Sequence, residues 1–223
     1  MERNSVAVDG PAGAGKSTLA KMAAKHYSYI YVDTGALYRC IGLYALRNNI
    51  ASKDEAGIAA LLSDITLEMK YDDDGVQRML LNGEDVTDAI RSPEVSIYAS
   101  DVSAFPPVRE FLLSMQRDMA RKYDVIMDGR DIGTVVLPDA GVKIFLTAEL
   151  ETRAKRRFLE LQGKNINTTL EDVLRDIKMR DKNDSERAVA PLRAAEGSIR
   201  LDTTNINLEE SFTAFCAIID GRS

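Results

Sequence analysis

Apolar positions follow three patterns along this chain. Four short, mainly apolar runs, Val6-Ala7-Val8, Tyr29-Ile30-Tyr31-Val32, Val125-Ile126-Met127 and Lys143-Ile144-Phe145-Leu146, and a fifth, more polar segment, Ser198 to Asp202, read as strands. Segments with helical spacing lie between them. Leu19-Ala20-Lys21-Met22-Ala23-Ala24 follows the first run, and Asp33-Thr34-Gly35 caps a helix from Ala36 to about Arg47. Ser92-Pro93 starts another helix, with Ser as cap and Pro in the first position. Phe105-Pro106-Pro107 breaks it, and Val108, Phe111, Leu112, Met115 and Met119 mark the apolar face of the next, with Arg109 near its start. Further on, Ala154, Phe158 and Leu161 form a narrow stripe. Thr168-x-x-Glu171 reads as a capping box ahead of Leu170, Val173, Leu174 and Ile177, which are expected to be buried. Strands alternating with helices imply a parallel sheet covered on both faces, an α/β domain.

The third pattern interrupts this alternation. Ile65, Leu67, Met69 and Tyr71 alternate with Thr66, Glu68 and Lys70, a two-residue period. Asp72-Asp73-Asp74-Gly75 reads as a solvated turn, Val76 to Leu81 as a second strand, and Asn82-Gly83 as a hairpin turn before Glu84-Asp85-Val86. A small antiparallel meander is therefore inserted in a strand–helix chain.

Length and composition narrow the class. With 223 residues the chain is long enough for one α/β domain with insertions, and its 45% hydrophobic and 29% charged content is ordinary for a soluble protein. A net charge of −6 argues against general binding to nucleic acid or anionic membranes. Residues 151–200 nevertheless carry 12 Lys and Arg against 9 Asp and Glu, which suggests a local anion site. No apolar signal core opens the chain, and no run reaches membrane-spanning length. Cys40 and Cys216 lack metal or redox spacing and are expected to be buried small hydrophobes in a reducing cytoplasm. His26 is the only histidine, which argues against His-based zinc sites and a Ser–His mechanism, and it is expected at the surface or its boundary.

The chemistry concentrates in Gly10-Pro11-Ala12-Gly13-Ala14-Gly15-Lys16-Ser17-Thr18, a G-x-x-x-x-G-K-[ST] string between a strand and a helix. A chance match anywhere in such a chain is on the order of one in a hundred. Its glycines let backbone N–H groups converge on an anion at a helix N-terminus. Lys16 is expected to reach the β- and γ-phosphates of a nucleoside triphosphate, and the Ser17 hydroxyl to ligate Mg²⁺ directly. Thr34, Tyr38 and Arg39 follow the carboxyl end of the second strand, where a second substrate would lie. Asp128-Gly129-Arg130-Asp131-Ile132-Gly133 ends another strand, with Asp128 in the place of a Walker-B carboxylate. Arg153, Arg156 and Arg157 share a helix, and Arg180, Asp184 and Arg187 share one helical face if that helix persists. Fixed arginines suit an acceptor that is itself a phosphate. Such an acceptor, with a second pKa of about 6, needs no general base. A hydroxyl acceptor would want one, for which Asp33 or Asp131 would serve.

Gly10 to Thr18, Asp33 to Arg39, Asp128 to Gly133 and Arg187-Ala188-Val189-Ala190-Pro191-Leu192 together resemble the bacterial cytidylate kinases, from the first strand to about residue 205. The resemblance implies a P-loop nucleoside-monophosphate-kinase fold: a five-stranded parallel sheet flanked by helices, a small antiparallel β insert and a helical lid. The implied core is 1–63, 103–148 and 188–223, with a monophosphate-binding insert at about 64–102 and a lid at about 150–187. The implied activity is transfer of the γ-phosphoryl of ATP to CMP or dCMP with Mg²⁺. Gly10, Ala12, Gly13, Ala14, Gly15, Lys16, Ser17 and Thr18 would bind the ATP phosphates. Thr34 would belong to the CMP site, Tyr38, Arg39 and Arg130 would lie around the CMP phosphate, and Arg187 would reach into the same region. Ser100, Arg109 and Asp131 would read the cytosine edge, and Arg180 and Asp184 the ribose. Lys16, Arg130, Arg153 and Arg157 would be catalytic, the last two on a mobile lid over ATP. Ser17 would hold Mg²⁺ directly and Asp128 through water. ATP and CMP or dCMP would be the partners of a cytoplasmic monomer, with no nucleic acid and no membrane. Two other readings are weaker. Another small-acceptor P-loop kinase fits the meander and Arg109 poorly. In a guanine-nucleotide switch, Asp181-Lys182-Asn183-Asp184 would have to be N-K-x-D.

Overall fold

The computed structural model describes residues 4–72 and 76–221. Five strands form one all-parallel sheet: β1 (Ser5–Asp9), β2 (Ile30–Asp33), β6 (Val125–Gly129), β7 (Val142–Thr147) and β8 (Ile199–Asp202), in spatial order β2-β6-β1-β7-β8. Register pairs Asp9 with Gly129 and Asp33 with Asp128, so the carboxyl ends of β1, β2 and β6 finish level along one edge. Crossovers of this kind place ligands outside those ends, where the strand order reverses.

Helices cover both faces, as runs apolar on both sides require. α1 (Lys16–Tyr27) and α8 (Leu208–Ile219) pack Leu19, Ala20, Ala23, Phe215 and Ile218 against Val6, Val8, Ile126 and Ile144. On the other face Ala7, Val32, Val125 and Met127 meet a one-turn π-helix at Ile132–Val136, together with Leu113 and Met119 of α5 (Pro106–Lys122). A second core joins α2 (Thr34–Arg47), α3 (Glu55–Leu61), α4 (Pro93–Val102) and α5 to the meander. α6 (Leu150–Gly163) and α7 (Leu170–Glu186) pair over Ala154, Leu161, Val173 and Ile177.

Local chemistry explains the helix boundaries. The Asp33 side chain accepts from Ala36 N at 3.0 Å and Ser92 Oγ from Val95 N at 3.2 Å, each closing an orphan donor in a first turn. α7 starts one residue later than the Thr168 capping box predicts. Its cap is Thr169, whose Oγ1 accepts from Asp172 N at 3.1 Å and donates to Asp172 Oδ2 at 2.6 Å. Two overlapping T-x-x-acid strings compete there, and the later one places Val173 and Ile177 inward. That phase leaves Leu170 exposed and Leu174 half-buried, against the sequence expectation. Cys40 is buried, whereas Cys216 is only half-buried; His26 is exposed.

The meander is β3 (Leu67–Tyr71), β4 (Gln77–Leu81) and β5 (Glu84–Asp85), antiparallel in that order. Asn82 (φ 51°) and Gly83 (φ 85°) both take the left-handed conformation that a two-residue Asn-Gly turn requires. The strand begins at Gln77; Val76 lies outside it and is exposed. Residues 73–75 of the acidic turn lie outside the described residues. Two side chains tie the meander to the outer edge of β2: Gln77 Oε1 accepts from Asp33 N at 2.9 Å, and Tyr71 OH donates to Tyr31 O at 3.1 Å. They satisfy backbone groups that an edge strand would otherwise leave open.

α2 and α4 approach closely because position 42 is Gly: a Cβ there would sit 2.8 Å from Tyr98 Cβ. Gly42→Leu should wedge α4 off α2 and cost about 1–3 kcal/mol. Urea unfolding measures the loss, and an unchanged midpoint would show that the helices do not need this contact.

Candidate active site

The phosphate loop leaves the central strand at Gly10 and enters α1 at Lys16, with Gly10, Gly13 and Gly15 at φ 151°, 74° and 93°. At Gly10 the requirement is also steric, since a Cβ would fall 1.9 Å from Leu146 O on the neighbouring strand. Lys16 folds back into this loop, its Nζ donating to Gly10 O at 2.7 Å and Pro11 O at 2.8 Å. Burial, then the nearby Arg130 charge, pulls its ammonium down to about 7.

Beyond the loop, Ser17 Oγ donates to Asp128 Oδ2 and the Tyr31 hydroxyl to Asp128 Oδ1, both at 2.8 Å. Burial, then the neighbouring Asp33, pushes the Asp128 carboxyl above the usual carboxylate range. Thr34 Oγ1 donates to Asp128 O at 2.8 Å and fastens the start of α2 to the end of β6.

Arginines paired with carboxylates line the wall beside this loop. Arg39 Nη2 lies 2.8 Å from Asp33 Oδ2, with Arg91 3.9 Å from the same oxygen. Burial alone would raise Asp33; Arg39 and then Arg91 hold it below its ordinary value. Arg130 Nε donates to Asp184 Oδ2 at 2.6 Å, and this pairing outweighs burial to keep Arg130 above and Asp184 below their ordinary values. Asp131 is held between Arg109 and Arg187, the latter at 3.3 Å. Arg187 Nη1 also lies 3.3 Å from Ser103 Oγ. The Arg109 guanidinium carbon lies 5.9 Å from the Tyr38 ring centroid. Arg180 is half-buried on the same wall; burial, then Arg130, brings it down to about 10. Ser100 Oγ and Arg39 Nε are buried without a hydrogen-bond partner among the described residues, and both residues line the cleft.

One cavity of about 1800 Å³ connects these groups. It runs from Gly13–Thr18 past Asp128 to Tyr38, Ser100, Arg180 and Arg187, and in the other direction to Arg157, Lys164 and Asn207. Three chain segments far apart in sequence thus converge on one cleft.

Arg153 departs from the sequence expectation of a mobile cation over the loop. It is 6% exposed, donates to Ala148 O at 2.8 Å and Ala12 O at 2.9 Å, and pairs with Asp181 at 2.6 Å. Asp181 Oδ1 in turn accepts from Ala12 N at 3.3 Å, so the pair grips both polar groups of Ala12. The reason is packing: the α6 backbone at Arg153 lies against Gly13, which places the guanidinium beneath the loop. Arg157 instead lines the cleft, paired with Glu160 at 2.8 Å. Tyr31, Gln77 and Asp181 were invisible as site residues in the sequence, because each is an ordinary strand or helix residue until its partner arrives from elsewhere.

Fold and site define a P-loop protein whose loop opens into the same cleft as a wall of carboxylate-paired arginines. The cytidylate kinase family model matches residues 6–220. A cytidylate kinase of Caldicellulosiruptor bescii is 52% identical over 94% of this chain and 92% of its own length. One from Lactobacillus gasseri is 51% identical over 96% and 93%. A solved structure of an uncharacterized protein from Eubacterium ventriosum shares the fold at TM-score 0.54 and 15% identity, covering 99% of this chain and 100% of that one. The chain belongs to the cytidylate kinase family.

The state of Lys16 gives a measurable signature. A phosphate beside Nζ favours the ammonium, so above pH about 7 inorganic triphosphate should bind with uptake of about one proton, and affinity should fall as pH rises from there. Calorimetry at pH 8 in buffers of different ionisation enthalpy reads the uptake, which should vanish in Lys16→Ala.

Proposed function

We propose that this chain transfers the γ-phosphoryl of ATP to CMP or dCMP, giving ADP and CDP or dCDP, by in-line transfer without a covalent enzyme intermediate. The observation that carries the reading is the joining of the phosphate loop and the arginine-walled pocket in one cleft. Catalysis then rests on positioning and charge stabilisation.

In this reading Gly10, Ala12, Gly13, Ala14, Gly15, Lys16, Ser17 and Thr18 take the ATP phosphates, with Lys16 leaving its two carbonyls to follow the transferring group. Thr34 orders the start of α2, and Tyr38, Arg39, Arg130 and Arg187 hold the acceptor phosphate as an already ionised nucleophile. Asp33, Asp184 and Asp131 pair with Arg39, Arg130 and Arg187, so each of these guanidinium groups has a carboxylate partner. Arg157 supplies a further cation from the lid side, while Arg153 acts by fixing Ala12.

The hard oxygens of Ser17 and Asp128, 2.8 Å apart, suit Mg²⁺, with Ser17 as direct ligand and Asp128 acting through water. Bound there, the ion would shield the triphosphate charges during transfer. Tyr31 holds the other Asp128 oxygen and fixes the carboxylate plane.

Asp131, Arg109 and the unpartnered Ser100 Oγ would read the base: a carboxylate accepts from the exocyclic amine of cytosine, which uracil lacks. Arg180 and Asp184 would contact the ribose. Residues 64–102 would serve as the acceptor-side insert and 150–187 as the lid of a single domain. Among the described residues no helix is long and apolar enough to cross a membrane. We place the enzyme in the cytoplasm as a monomer acting on small nucleotides, with no nucleic-acid or membrane partner.

With ATP and Mg²⁺, a panel of monophosphates should be turned over with CMP and dCMP first; equal or faster turnover of AMP or UMP would overturn the reading. Lys16→Ala should lower kcat by about 10²–10³. Arg180→Ala should chiefly raise the KM for CMP, and a kcat loss at unchanged KM would remove it from the acceptor site.

A further inference from the structure

We propose that Asp9, one residue before the phosphate loop, is a positioning residue for acceptor recognition. It caps the turn that follows Asp131 and thereby leaves the Asp131 carboxylate to its two arginines on the wall of the acceptor pocket. The inference rests on the acceptor-site reading of Asp131 given above.

The turn at Ile132–Val136 begins inside the protein, with Ile132 and Gly133 both buried. Their N–H groups are orphan donors of a first helical turn and need an acceptor. Local sequence offers one, because Asp131 occupies the cap position and aspartate is among the best capping residues. Yet Asp131 makes no cap bond. Its two carboxylate oxygens are taken by Arg109 and Arg187 instead.

The acceptor comes from a neighbouring strand. Asp9 pairs with Gly129 in the sheet register, and its side chain reaches past the end of β6. Oδ1 accepts from Ile132 N at 2.7 Å and Oδ2 from Gly133 N at 2.8 Å. Asp9 is 3% exposed, so its charge is compensated chiefly by these two amides. Removing either oxygen as an acceptor would leave a buried N–H unpaired, and for the Gly133 N–H the nearest replacement along the chain is the Asp131 carboxylate. Asp131 would then be divided between its own turn and the two arginines. The same strand end launches the phosphate loop at Gly10, so one side chain also ties the donor-phosphate cradle to the acceptor segment.

The test is a double-mutant cycle on the full chain with ATP and Mg²⁺, comparing the unsubstituted protein, Asp9→Asn, Asp131→Asn and the pair. Asp9→Asn should raise the KM for CMP about tenfold, the loss expected for one charge-assisted hydrogen bond. It should also narrow the preference for CMP over UMP, with the KM for ATP within about twofold of the starting value. Added to Asp131→Asn it should raise the KM for CMP no further. Additive effects, or a fall in Tm with unchanged KM and CMP/UMP preference, would overturn the proposal. If Asp131→Asn itself leaves the KM for CMP unchanged, the acceptor-site reading fails first, whatever Asp9 does. Asp9→Ser, which keeps one short acceptor, is run beside Asp9→Asn. Failure of both to fold would assign Asp9 to the scaffold alone and equally overturn the proposal.

Discussion

The structure turns on carboxylates at the ends of parallel strands. Asp9 and Asp33 finish β1 and β2, and Asp128 is the penultimate residue of β6, each largely withdrawn from water. A buried carboxylate is tolerable only with donors around it, and each of these three is committed to a different neighbouring segment. Asp9 holds the 132–133 amides, Asp33 caps α2 and pairs with Arg39, and Asp128 takes the hydroxyls of Ser17 and Tyr31. The need to satisfy three charges is therefore what fixes the loops around the cleft.

The same logic governs the arginine wall. An enzyme that must bind two highly charged anions needs several cations in a partly dry cleft, and unpaired they would repel one another. Asp33, Asp131 and Asp184 pair with them in place. These pairs hold the guanidinium groups in fixed positions along the cleft wall. Lys16 follows the same scheme with neutral partners, resting on two loop carbonyls.

Arg153 shows how packing decides what a charge does. On the sequence it belongs with Arg156 and Arg157 as a cation on a basic helix. In the structure Arg156 bonds Thr203, Arg157 faces the cleft, and Arg153 is buried against Ala12 and Asp181. Helical spacing places Arg153 within one turn of both Arg156 and Arg157, so it is the groups packed against each side chain that settle their chemistry.

Much of this protein was legible in one dimension. Gly-rich spacing before a helix specifies an anion cradle because backbone geometry there is local, and the Asn82-Gly83 turn and the Asp33 and Ser92 caps are local for the same reason. The five strand-like runs announced the parallel sheet, and the four motif stretches announced the family. What the chain alone could not decide is which partner each buried polar group meets. Asp9 was silent, Asp131 could have capped its own turn, Thr168 competed with Thr169, and Gln77 looked like any strand residue. For Asp9, Asp131 and Gln77 the choice was made by segments that the fold brings in from elsewhere in the chain, since burying a polar group obliges it to find whatever complementary group lies within reach.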